Sequence, residues 1–349
     1  MVLIGCDFHP AWQQVCWLDT ETGETAEHKL VHSPGEVEKF YGRFAAPARV
    51  GIESTGNCQW FLDQLAKLGH EVWVGDAAKI RASDVRRQKH DRRDARLLLE
   101  LVQGGEKKFP KIAVPSSEEK DLRQLLIHRH HLVRMRARIK TELQHLALNQ
   151  GVQRKGRLWS AAGQKLLREL PLRPWASRRR GDLLELMGGL DGKIATLDRA
   201  VEEASKANSQ AQLLRTQPGV GPVTSLAFVL TLGDVSRFPR GKNVASYLGL
   251  IPCEDTSGER QRLGRISKQG NRFLRMLLVE AAQIAVRCDP EFRREYLHRC
   301  HTKPKGVAKV AAARKLAIRL YWMLRKRKEQ QAEVVSIESS SRVALAGES

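Results

Sequence analysis

Short runs of apolar, β-forming residues open the chain. Val2–Phe8 is one, Trp12–Leu18 a second, and Thr25–Val31 a weaker third. Pro34–Phe44 then carries apolar residues at helical spacing, and Arg49–Glu53 returns to a strand pattern. Cys58–Leu68 is helical up to Gly69, and Glu71–Gly75 is a further strand. Three strands in a meander followed by helix–strand–helix–strand predict a mixed α/β sheet. From Asp91 onward, Ala95, Leu97, Leu98, Leu99, Leu101 and Val102 follow a helical period that ends at Gly104-Gly105.

The pattern changes after the Pro-bounded linker Lys107–Pro115. A long helix is predicted over about Ser117–Asn149, with Leu125, Leu132, Ile139 and Leu146 recurring every seven residues. Leu122 and Leu143 fill the second core position, where Arg129 and Arg136 interrupt the row. A second heptad-like stretch carries Leu183, Leu190 and Leu197 with Met187, Ile194 and Val201, weakened by Gly188-Gly189. Two such helices fold back as an antiparallel coiled-coil arm, or else sit in an ordinary bundle. Between them Arg154–Arg180 interleaves Lys and Arg with Trp159 and Trp175. That composition suits phosphate contacts and base stacking on single-stranded nucleic acid, although the tryptophans can equally close a small core. A third, mainly helical unit runs from near Leu213 to about Lys328, and the Ser- and Glu-rich end lacks periodicity. The expected organisation is an α/β domain over 1–114, a helical arm with a basic tip over 115–208, a mainly α domain over 209–329 and a disordered tail over 330–349.

Composition adds a partner class. Of 349 residues, 42% are apolar, enough for packed cores, while 60 Lys and Arg against 39 Asp and Glu give a formal net charge of +21. The surplus is segregated: residues 1–76 hold 5 basic and 11 acidic residues, a net of −6, so the remainder carries +27. An acidic head on a basic body points to a polyanionic partner with a separate site for chemistry. No apolar run reaches the ~18 residues of a membrane span. The start of the chain has no basic region before its apolar run, so a signal peptide is not expected. The 6 cysteines are scattered with no CxxC, which fits a reduced, cytoplasmic protein.

Candidate chemistry begins with carboxylates. Asp7 ends the first strand in Gly5-Cys6-Asp7, and Glu53 ends another in Gly51-Ile52-Glu53-Ser54-Thr55-Gly56. Acids at the ends of apolar strands are costly to bury without a cation. Asp91 and Asp94, at i and i+3 near the start of a helix, share one face. Asp7, Glu53, Asp91 and Asp94 can together hold Mg²⁺ or Mn²⁺, and two such ions ~4 Å apart assist in-line phosphoryl transfer. Taken singly, Asp91 also suits a helix N-terminus and Asp94 an ion pair with Arg96.

Two C-terminal stretches stand out. Pro218-Gly219-Val220-Gly221-Pro222 resembles a helix-hairpin-helix turn, whose Gly219 and Gly221 would let backbone amides approach a phosphate. A plain turn between helices reads almost as well. Between Ala245 and Arg275 the chain carries Thr256, Ser257 and Ser267 with the cations Arg260, Arg262, Arg265, Lys268, Arg272 and Arg275. Cations beside a hydroxyl can bind a scissile phosphate and stabilise charge on its oxygens. Residue type alone does not choose among Ser257, Thr256 and Ser267. Arg154, Lys155 and Arg157 supply further candidate contacts at the basic tip.

The ordered set Gly5-Cys6-Asp7, Ile52-Glu53-Ser54-Thr55-Gly56 and Lys89-His90-Asp91-Arg92-Arg93-Asp94-Ala95-Arg96 resembles the DEDD transposases of the insertion sequence one-ten family, relatives of the Piv invertases and known as bridge-RNA-guided recombinases. The resemblance covers about residues 1–325. It implies a RuvC-like, RNase H-type first domain, Mg²⁺ at the four acids, and a C-terminal transposase domain. Its nucleophile position falls on Ser257, which would join a DNA phosphate as phosphoserine in a centre composed with the acidic site. It further implies donor and target DNA, a structured noncoding guide RNA, assembly as dimers and tetramers, no membrane, and a place in the bacterial cytosol or nucleoid. Base pairing by such a guide would leave no base-reading code in the protein. Two other functions fit the residues: a RuvC-like metal-dependent nuclease or resolvase in which water attacks, and a non-catalytic basic nucleic-acid-binding protein.

Overall fold

Strand β1 (Val2–Phe8) is buried along both faces from Leu3 to Cys6, which is why its sequence is a continuous apolar run and not an alternation. It pairs antiparallel with β2 (Trp12–Asp19), and β2 pairs antiparallel with β3 (Thr25–Val31). After α1 (Glu36–Gly42), β4 (Arg49–Glu53) joins the other side of β1 in parallel. Helix α2 (Gln59–Lys67) then leads to β5 (Glu71–Gly75), parallel to β4. The sheet order is β3-β2-β1-β4-β5, a mixed sheet built as the strand pattern predicts. Helix α3 (Ala77–Ser83), which the sequence pattern did not single out, precedes α4 (Asp91–Gln103).

The structure is a computed structural model that describes residues 1–83, 91–153, 156–254 and 263–346, and it divides into two units, Met1–Val114 and Pro115–Ser349. In the first unit, α1 and α2 cover one face of the sheet. Phe40, Tyr41, Phe61 and Leu65 pack there on Ile4, Cys6, Val50 and Ile52. Helix α4 covers the other face, setting Ala95, Leu98, Leu99 and Val102 against Leu3, Trp73 and Phe109. Contact on this side is close because the strands present glycine to it. A Cβ on Gly5 would lie 2.2 Å from the Ala95 carbonyl oxygen and 2.4 Å from the Leu99 nitrogen. Those are backbone atoms that no rotamer change can move. Part of the predicted linker also belongs to this unit: the Ile112 N–H donates to the Val74 carbonyl (2.8 Å), and Phe109 is buried.

The second unit is mainly helical. Helix α5 (Ser117–Asn149) starts in a capping box, with the Glu119 N–H donating to Ser116 Oγ (3.1 Å) and the Ser116 N–H to Glu119 Oε2 (2.9 Å). Helix α6 (Ala161–Glu169) and the unbroken α7 (Pro174–Ala207) follow. Arg129 pairs with Asp198, Arg136 with Asp191 (2.8 Å) and Arg179 with Glu142 (3.0 Å). Partners step back along α7 as they step forward along α5, so the two helices lie antiparallel. The arginines that break the leucine row are thus paired across the seam, which buries Leu132 and Leu143 from α5 and Met187, Ile194 and Val201 from α7. Trp159 closes a small core with Leu143, Leu158 and Leu167, whereas Trp175 stands 86% exposed.

Around them pack α8 (Ser209–Arg215), α9 (Pro222–Leu232), α10 (Gly241–Tyr247), α11 (Arg272–Cys288), α12 (Pro290–Thr302) and α13 (Lys305–Ala346). Helix α9 is buried on nearly every side, as its mostly apolar sequence, broken only by Thr224, Ser225 and Thr231, requires. Gly219 (φ +85°) also packs closely on α11, where a Cβ would come 2.3 Å from the Ala281 carbonyl oxygen. Two expectations are corrected here. The stretch read as loop up to Asn271 contains a hairpin of β6 (Pro252–Glu254) and β7 (Leu263–Ile266). The stretch from residue 330, read as a tail, continues α13 to Ala346, because Glu329-Gln330-Gln331-Ala332-Glu333 are all good helix formers. Among the described residues no helix is long and apolar enough to cross a membrane.

The Gly5 contact yields a stability prediction. Gly5→Ala should destabilise the first unit by about 2 kcal/mol or more through overpacking. Gly56→Ala, where a Cβ meets nothing within 4 Å, should change it by less than about 0.5 kcal/mol. Urea unfolding followed by tryptophan fluorescence checks the pair.

Candidate metal centre and nucleic-acid contacts

Strand alternation fixes the direction of the two strand-end acids. Leu3, Gly5 and Asp7 share one face of β1, and Arg49, Gly51 and Glu53 share one face of β4. Gly5 and Gly51 lie directly against α4, so Asp7 and Glu53 end their strands on the side of that helix. The strands are parallel, with Cys6 beside Ile52, which puts both acids at the same carboxyl-terminal edge of the sheet. Asp91 and Asp94 occupy the first described turn of α4.

Three side chains converge there. His9 Nε2 lies 3.2 Å from Asp7 Oδ2 and 3.9 Å from Asp91 Oδ1. One ligand atom from each of Asp7, His9 and Asp91 lies within 4.8 Å of the others. The imidazole is held by stacking on Trp12, with centroids 4.2 Å apart and planes 27° from parallel, and Lys29 Nζ sits 4.2 Å from the centroid of the same indole. The Asp7 side chain is only 13% exposed. Burial raises its carboxyl above the ordinary range; the charges of Asp94 and Asp91 push the same way, and His9 opposes them. Asp94 is therefore within electrostatic reach of Asp7 without being one of the converging three. Glu53 stands apart from this set in the described geometry, paired with Arg81 at 3.0 Å.

The donor chemistry fits a divalent cation. Two carboxylates and an imidazole meet at the edge of the sheet, one carboxylate nearly buried, with a further acid nearby. Such a concentration of negative charge is stabilised by a bound cation. Beside it a cavity of about 490 Å³ is lined by Trp12, Gln14, Glu27, His28, Lys29, Asp91 and Arg92, placing two cations and an aromatic ring next to the acids. His9 was not among the sequence candidates: it lies just past the end of β1, and only the fold brings Asp91 beside it.

The nucleic-acid candidates divide. Ser257, Thr256, Arg260, Arg262, Arg154 and Lys155 lie outside the described residues. Arg265, Lys268, Arg272 and Arg157 are exposed. Lys268 adopts φ +55° and donates its N–H to the Gly249 carbonyl (3.2 Å). Ser267 Oγ is buried without a partner among the described residues, and its N–H donates to the Ile251 carbonyl (2.8 Å). Arg275 binds the carbonyls of Leu248 (3.2 Å) and Gln269 and so is structural. Gly221 starts α9 with open space around it.

Comparison with known proteins places this geometry. A DEDD-type model of IS110 elements, described as "Transposase", matches residues 4–150, the span holding Asp7, Glu53, Asp91 and Asp94. A second, described as "Transposase IS116/IS110/IS902 family", matches residues 211–297, the span holding Ser257. A Pseudomonas aeruginosa protein named "Probable family 20 transposase" is 29% identical over 333 residues, covering 92% of this chain and 96% of that one. The transposase for insertion sequence element IS1111A of Coxiella burnetii is 28% identical, covering 82% of this chain and 78% of its own. The transposase for IS1328 of Yersinia enterocolitica is 26% identical, over 68% of this chain and 71% of its own. With two family models matched in order along the chain and relatives that span most of it, the chain belongs to the DEDD transposases of the IS110 family.

Proposed function

We propose that this transposase cuts and rejoins DNA by phosphoryl transfer assisted at the Asp7–Asp91 site. The convergence of Asp7, His9 and Asp91 within 4.8 Å at the end of the sheet carries the reading. The sheet order and its α4 cover support a RuvC-like, RNase H-type assignment for the first unit. Asp7 and Asp91 would hold Mg²⁺ or Mn²⁺, with Asp94 and Glu53 adding charge on the same side of the sheet. When bound, the cation neutralises the non-bridging phosphate oxygens and favours formation of the attacking oxyanion. Lys29 and Arg92, lining the cavity beside Asp91, bind the flanking phosphates. Trp12 stacks on His9 and lines that cavity.

The nucleophile in this reading is Ser257, by the family resemblance. Its Oγ forms a bond to phosphorus while the bond to the deoxyribose oxygen breaks, and the hydroxyl proton ends on that departing oxygen. Attack by a second deoxyribose hydroxyl reverses the step and joins the new strand. Arg260, Arg262, Arg265, Lys268 and Arg272 follow the serine in sequence and would balance the phosphate charge. A structured RNA encoded by the element selects the target by base pairing. The exposed Trp175 and Arg157, with Arg154 and Lys155, offer it stacking and phosphate contacts. The long helices α5 and α7 are the proposed contacts for dimers, and for tetramers on DNA. A second reading, a metal-dependent nuclease in which water attacks, is favoured by one observation: the converging ligands all lie within residues 1–114.

Two experiments test this. Asp7→Asn with Asp91→Asn should lower strand transfer about 10³-fold or more, since cation charge contributes several kcal/mol to such transition states. Salt-sensitive DNA binding, measured by filter retention, should stay within about twofold because phosphate contacts dominate it. If the double variant recombines normally, the acids are structural. Separately, wild-type protein mixed with end-labelled DNA and denatured should trap a covalent adduct, and Ser257→Ala should trap none and cut nothing. Full cutting by Ser257→Ala would establish water as the nucleophile.

A further inference from the structure

The third ligand atom at the cation site is a nitrogen, and nothing in the carboxylate set requires it. Mg²⁺ is a hard ion that takes oxygen ligands and keeps several waters. Imidazole suits the first-row transition metals, whose affinity for nitrogen exceeds that of Mg²⁺. His9 is poised to act in this way. Its Nε2 faces Asp7 Oδ2 at 3.2 Å and Asp91 Oδ1 at 3.9 Å, so a cation placed among the three replaces the imidazole–carboxylate contact with three bonds. The ring is fixed from one side by Trp12 at 4.2 Å, and the half-buried edge restricts its alternatives. Rotation away from the acids would abandon that stack.

We infer that His9 is a direct ligand through Nε2 and that the site prefers Mn²⁺, the transition-metal dication most tolerant of carboxylates, to Mg²⁺. This deepens the metal-assisted reading and rests on it. In consequence, Trp12 acts as a positioning residue that holds the imidazole, and His9 sets which cation is taken.

The test is direct binding to the full-length protein, read by electron paramagnetic resonance of Mn²⁺ and by calorimetry with each metal alone. Wild type should bind Mn²⁺ at least about tenfold more tightly than Mg²⁺, and spin-echo spectra of the bound Mn²⁺ should show nitrogen hyperfine coupling. His9→Gln should remove the coupling, weaken Mn²⁺ about tenfold and leave Mg²⁺ nearly unchanged. Asp7→Asn should lose both metals. Absence of nitrogen coupling in the wild type overturns the role of His9, and needs no variant to be folded. Retention of both metals by Asp7→Asn overturns instead the underlying assignment of the cation to this edge. Equal affinity of wild type and His9→Gln for Mn²⁺ removes the proposed selectivity.

Discussion

The first unit depends on one close approach, that of α4 to β1 at Gly5. The helix backbone comes so near the strand that a single methyl group would collide with the Ala95 carbonyl oxygen and the Leu99 nitrogen. Two residues farther along β1, the same face presents Asp7. The distance that glycine permits therefore decides how near Asp91, at the start of the helix, comes to Asp7. Ala95, Leu98, Leu99 and Val102 hold the helix there by burial. Chemistry and packing thus share one interface, and the acids cannot be separated without disturbing a core.

That interface concentrates like charge. Asp7 is nearly buried, and Asp91 and Asp94 add to its difficulty in ionising. A lone proton relieves such a cluster at the expense of its function, whereas a divalent cation relieves it and creates a site for phosphate oxygens. His9, anchored on Trp12, adds a donor whose nitrogen biases the choice of ion.

Much of the fold was legible from the residues because its signals are local. The five strands of the first sheet and the long helix Ser117–Asn149 follow from apolar period, and Gly104-Gly105 marks the end of a helix. Asp7 at a strand end, and Asp91 with Asp94 on one helix face, were candidates from position and i, i+3 spacing, but that Asp7 and Asp91 come together is a property of the fold. What failed to show depends on neighbours remote in sequence. Glycine at 219 signals a close approach without saying to what, and the fold shows α11 there. His9 was overlooked because a histidine just past a strand carries no pattern until Asp91, eighty-two positions later, is folded beside it. Arg129 and Arg136 looked like faults in a leucine row and are paired with aspartates of the facing helix. The β6–β7 hairpin carries little sequence signal because its strands are only three and four residues long and β6 begins with proline.

The most direct measurement is anomalous diffraction from crystals of the full-length protein grown with Mn²⁺. The account expects an anomalous peak within about 2.3 Å of carboxylate oxygens of both Asp7 and Asp91, beside the imidazole of His9. A first unit that is well ordered with no peak at that edge, or with the ion bound elsewhere, would contradict the claim that the approach of α4 to β1 builds a cation site for DNA chemistry.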